Sequence, residues 1–68
     1  MSITEYFKQT MRQKGIKQKY VADRTGYSED TVSKYLCGRV RLTADAFLRF
    51  CDVLDVDPNV FRGEKNAH

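Results

Sequence analysis

Apolar residues recur along the chain at helical spacing, and polar or glycine punctuation divides them into short segments. The clearest segment holds Phe47, Phe50, Cys51 and Leu54 at i, i+3, i+4 and i+7, which places them on one helix face. Ile3, Phe7, Thr10 and Met11 mark an earlier helix, Val21 and Ala22 belong to a second, and Val32, Tyr35 and Leu36 to a third. The alternation that signals strands is almost absent. The pattern predicts an all-α fold with helices near 3–14, 17–25, 28–37, 43–54 and 58–62.

The residues between these segments support the same division. Ser2-Ile3-Thr4-Glu5 fits a capping box, with Ser2 as N-cap and Glu5 reaching back. Ser28 and Thr43 are good N-caps for the third and fourth helices, and Glu29 and Asp30 suit the positive end of the third helix. Asp57-Pro58 reads as an N-cap followed by proline at the first helical position. Gly15, Gly26 and Gly38 stand at the expected stops. Lys17 is a poor N-cap, so the second helix has the least defined start. Ile16 with Val21, Leu42 with Phe47, and Val56 with Phe61 are spaced as hydrophobic staples. Residues 1–62 are expected to form one domain and residues 63–68 a disordered polar tail.

A chain of 68 residues buries only about 60% of its unfolded surface, and small domains often add disulfides or a metal. Neither is expected here. Cys37 and Cys51 form no C-x-x-C pair, and the only histidine is His68. Cys51 reads instead as a buried thiol on an apolar helix face. The core must come from helix packing, completed by a partner subunit if one is present. No secretory segment and no long apolar run stand out, so a soluble, cytoplasmic protein without membrane contact is expected. No internal histidine, nucleophile–base arrangement or glycine-rich phosphate loop is present, which argues against an enzyme, a cofactor or a small-molecule substrate.

Charge adds a direction. The net charge is +3, but residues 8–41 carry nine bases against three acids, whereas residues 42–68 carry three bases and five acids. A positive field confined to the first two thirds of the chain suits a polyanion.

The stretch Ile16 to Gly38 combines these signals. Two short helices flank a single turn, Thr25-Gly26-Tyr27-Ser28, with small Ala22 where the helices should touch and Val21, Val32 and Leu36 to lock them in place. This is the layout of a helix-turn-helix, in which the second helix enters a major groove about 12 Å wide. The runs Gln18 to Ser28 and Thr31 to Gly38, with the later Leu54 to Phe61, resemble the lambda-repressor-like (Cro-type) DNA-binding domains over roughly Ile3 to Phe61. Thr31-Val32-Ser33 also resembles a lactose-repressor-type headpiece. The long first helix and the Asp57-Pro58 ending favour the Cro-type resemblance.

That resemblance implies a compact five-helix domain and specific roles. Gln18 would bind phosphate and brace the reading helix. Glu29, Asp30, Ser33 and Lys34 would read bases, and Arg39 and Arg41 would bind phosphate. Two arginines beside a helix end suit bidentate phosphate contact on physical grounds as well. Lys17 and Lys19 flank Gln18 and are also placed for phosphate. Met11 and Leu36 stand where many relatives carry an ion pair, so a hydrophobic contact is expected there. Lys8, Arg12 and Lys14 read as solvated surface, and Arg49 and Arg62 receive no role. Tyr6, Phe7, Phe47, Phe50 and Phe61 read as core or dimer interface.

Glu29 and Asp30 admit two readings. One is helix stabilisation, with Asp30 pairing Lys34 at i+4. The other is acceptance from cytosine N4 while Lys34 donates to guanine. The implied function is a sequence-specific transcriptional regulator, a repressor of phage or mobile-element type. It would bind double-stranded DNA as a homodimer on a pseudo-palindromic operator, with half-sites about 34 Å apart. The dimer surface is expected after Phe47, with Val60 and Phe61 in contact. The alternative is a protein-interaction module on the same fold, such as an antitoxin or a regulator with a protein partner.

Overall fold

Hydroxyl side chains set the start of three of the four α-helices in the computed structural model, which describes residues 2–61. The Ser2 hydroxyl accepts from the Glu5 N–H at 3.1 Å and opens α1, Ile3–Lys14. Its other bond runs to the Thr4 hydroxyl at 3.2 Å, so the capping box is made from the serine side. α2, Gln18–Thr25, follows Lys17, which caps it without a side-chain bond. The Ser28 hydroxyl accepts from the Thr31 N–H and opens α3, Glu29–Leu36. Thr43 does the same for the Ala46 N–H at the start of α4, Ala44–Leu54. Each such cap is worth about 1 kcal/mol.

The fifth expected helix is corrected to a single turn of 3-10 helix, Pro58–Phe61. Here the Val60 N–H reaches back three residues to the Asp57 carbonyl, and the Asn59 N–H bonds the Asp57 carboxylate. Four residues with this tight bonding close a turn but do not start an α-helix. The expected tail at 63–68 and the role of Arg62 lie outside the described residues. Among the described residues there is no strand.

α4 stops in a way that glycine spacing does not signal. Asp55 takes the left-handed conformation at φ 57, and its N–H closes on the Asp52 and Cys51 carbonyls. Lys14 of α1 then donates to the Leu54 carbonyl at 2.7 Å, placing a cation at the negative end of α4. Lys14 is therefore a structural tie between two helices and not only solvated surface.

The helices meet around Phe7, Val21, Val32, Phe50, Cys51 and Leu54, all essentially sealed from solvent. Burying each large apolar side chain contributes about 1.5–3 kcal/mol. Met11 and Leu36 are both buried in this cluster, in keeping with the hydrophobic contact expected between them. Phe7 stacks obliquely on Phe47 and Phe50, and Phe61 meets Tyr6, Phe7 and Phe47 edge-on. α2 packs on α3 and α4, while α1 bridges α3 and α4. The inner face of α3 is covered from both sides and its outer face carries only polar residues.

Candidate nucleic-acid interface

The turn between α2 and α3 is built from short-range chemistry. The Thr25 hydroxyl donates to the Val21 carbonyl at 2.7 Å and accepts from the Tyr27 N–H at 3.3 Å. Between them Gly26 sits at φ 86, and its N–H closes on the Ala22 carbonyl. A side chain there would be strained, which explains the glycine. Buried Ala22 lets α3 approach α2 closely, as its size suggests.

α3 divides cleanly into two faces. Val32 and Leu36 point into the core, and Tyr35 lies half-buried against Tyr27 and Phe50. Glu29, Asp30 and Lys34 are exposed, and Ser33 is half-buried. Of these four expected readers, the structure joins two: Lys34 Nζ stands 3.0 Å from Asp30 Oδ2. Ser28 and Thr31 are tied hydroxyl to hydroxyl at 3.0 Å and complete the first turn.

The expected phosphate ligands fall in two places. Lys17, Gln18 and Lys19 are exposed at the start of α2. Arg39 and Arg41 are exposed in the loop that leaves α3 through Gly38. That loop folds back on the helix, because the Arg39 and Val40 N–H groups both close on the Lys34 carbonyl. None of these five side chains takes part in an ion pair among the described residues. Gln18 opens α2 with its side chain exposed.

Arg49 on α4 reaches the turn between α2 and α3. Its Nη1 donates to the Thr25 carbonyl at 3.1 Å, its Nε donates to Asp45 Oδ2 at 2.9 Å, and its guanidinium carbon lies 5.8 Å from the Tyr27 ring centre. The Asp45 bond holds the Arg49 pKa above its ordinary value. Burial lifts the Tyr27 phenol, and the nearby Asp45 charge adds to the effect. The i,i+4 spacing of Asp45 and Arg49 was visible in the sequence, but the reach to Thr25 was not. Arg24 similarly covers the exposed Tyr20 ring at 5.0 Å.

The two residues expected at a dimer contact behave differently. Val60 is 47% exposed. Phe61 is half-buried and spends its ring on Tyr6, Phe7 and Phe47 of its own chain. An apolar hollow of about 510 Å³ opens beside it, lined in part by Ile3, Leu42, Phe47 and Pro58. Among the described residues, no group of three His, Cys, Asp or Glu side chains gathers to hold a metal ion, and no helix is long and apolar enough to cross a membrane.

A family model described as a helix-turn-helix domain matches residues 3–62, nearly the whole chain. No curated protein and no solved structure matches.

Proposed function

Because the chain belongs to the helix-turn-helix domain family, we propose that it is a sequence-specific transcriptional regulator that lays α3 in the major groove of duplex DNA. The observation that carries this reading is the two-faced character of α3. Val32 and Leu36 fix the helix to the core, and Glu29, Asp30 and Lys34 are left facing solvent. A helix held this way presents its polar side as a rigid unit.

In this reading Lys34 donates to guanine, and Glu29 or Asp30 accepts from cytosine N4, with Ser33 at the edge of the same face. Lys17, Gln18, Lys19, Arg39 and Arg41 grip phosphates and set the register, without reading sequence. Among the described residues, Lys17, Lys19, Arg39 and Arg41 enter no ion pair, which supports that division. The protein acts as a homodimer on a pseudo-palindromic operator and represses by occluding a promoter. Exposed Val60 and the apolar hollow beside Phe61 support a contact between copies on that side.

The acidic pair favours one second reading. Glu29 and Asp30 oppose a polyanion, and a regulator or antitoxin that docks a basic protein partner would use them directly. Selection of bound fragments from random duplex DNA separates the two. The first reading predicts an enriched site with two-fold symmetry and half-site centres about 34 Å apart. No enrichment at low salt would leave the protein-partner reading.

A further inference from the structure

Arg49 stands on α4, outside the two motif helices, yet it grips the turn that joins them. Nε is anchored on its own helix by Asp45. Nη1 reaches the Thr25 carbonyl, 24 residues earlier in the chain. Thr25 ends α2, where unpaired carbonyls carry the negative end of the helix dipole and attract a cation. The guanidinium also lies within cation–π range of Tyr27, on the far side of Gly26. One side chain therefore holds the residues on both sides of the hinge.

The other ties in the turn are local: the Thr25 hydroxyl bonds the Val21 carbonyl and the Tyr27 N–H, and the Gly26 N–H bonds the Ala22 carbonyl, so none of them reaches α4. A Cβ at Gly26 would meet nothing within 4 Å, so the space beside the turn is open. Tyr27 extends the grip onward: its ring packs 5.7 Å from Tyr35 of α3 and 6.4 Å from Phe50 of α4. Ser28, the next residue, is the N-cap of α3. The chain of contacts runs from α4, through Arg49 and Tyr27, to the base of the reading helix.

We propose that Arg49 is a positioning residue that fixes the angle between α2 and α3 and thereby governs discrimination between DNA sequences. This rests on the DNA-binding reading above. A specific complex must satisfy phosphates along α2 and base edges along α3 at once, so it needs the angle. Non-specific binding needs only positive charge and tolerates a loose one. The Arg49–Asp45 pair is largely solvent-exposed, with side chains 51% and 73% accessible, so its removal should alter overall stability little.

The test compares Arg49→Gln, Arg49→Lys and Asp45→Asn on a selected site and on unrelated duplex, at a temperature where circular dichroism shows each variant folded. Arg49→Gln is expected to raise Kd for the selected site about tenfold while leaving Kd for unrelated duplex within about twofold. Arg49→Lys, which keeps the charge but loses the fork, should recover part of the discrimination. Asp45→Asn should lose a smaller part, and it reads the same anchor if Arg49→Gln does not fold. Equal loss on both duplexes, the mark of a general stability defect, would overturn the proposal, as would unchanged discrimination. A DNA-free reading is also available. Arg49→Gln should shift the amide resonances of Gly26, Tyr27 and Ser28 and weaken the cross-peaks between Tyr27 and Phe50. Unchanged resonances overturn the proposal whatever DNA does, whereas failure of the unmodified protein to bind duplex DNA counts against the functional reading instead.

Discussion

Lys34 and Asp30 form an ion pair at 3.0 Å, one helical turn apart on the outward face of α3. Both side chains are well exposed, at 47% and 75%, so the pair contributes little to stability. Its consequence lies in charge: Asp30 occupies an ammonium that would otherwise stand alone on the outward face of α3. Asp30→Asn is therefore expected to change unfolding free energy by less than about 1 kcal/mol, the range set by a surface pair and a first-turn acid. The same change should tighten binding to unrelated duplex, because one negative charge leaves the face that the proposed reading turns toward DNA. Denaturant melts and duplex titrations check the two parts separately.

Lys34 and Arg39 should differ in kind. Lys34→Ala is expected to lose about 1–3 kcal/mol of discrimination at one or two base pairs. Arg39→Ala should weaken all sequences alike and lower the salt dependence by about one unit. Identical behaviour of the two variants across a panel of altered sites would refute the division into base readers and phosphate ligands.

The turn offers a stability test free of packing effects. Gly26 lies at φ 86 with open space around its Cβ position. Gly26→Ala should then cost only backbone strain, about 1–2 kcal/mol, seen as a lower urea midpoint with an unchanged slope. A neutral outcome would mean that the turn adopts another conformation in solution.

The two thiols should separate by accessibility. Cys37 is exposed, while Cys51 is 2% exposed and its pKa is raised by burial and then by the Asp57 charge. A thiol reagent is expected to label Cys37 at once and Cys51 only as fast as the protein opens. The raised pKa also sets a pH trend. Above about pH 8.5 the unfolded thiol loses its proton before the folded one, so stability falls as pH rises through the folded value. Tyr27, also raised, adds to the decline at still higher pH. Cys51→Ala should lower the midpoint at neutral pH yet flatten the first part of this decline, measured by denaturant melts across the alkaline range.

Much of this architecture was legible because it is local. Ser2, Ser28 and Thr43 announce helix starts by bonds to an N–H three residues on. Gly15 and Gly26 announce stops by the conformation they permit. The inward and outward faces of α3 follow from spacing alone. What escaped are ties between residues distant in sequence: Lys14 on the Leu54 carbonyl, 40 residues apart, and Arg49 on the Thr25 carbonyl. A basic residue on a polar face looks the same in sequence whether it caps a neighbouring helix or faces water. The last segment was overread for a related reason. Asp57-Pro58 signals a start, but a start signal does not say how many turns follow, and among the described residues only one forms.

The central claim, that α3 reads duplex DNA, is tested most directly by titrating a selected site and an unrelated duplex with the protein across a range of salt. The account predicts that the selected site binds at least about 10³-fold more tightly than the unrelated duplex. It also predicts that affinity for both falls steeply with salt, with a log–log slope of about −3 to −4 per protomer if Lys17, Lys19, Arg39 and Arg41 each neutralise one phosphate. Equal affinity for the two duplexes, or binding that ignores salt, would contradict it.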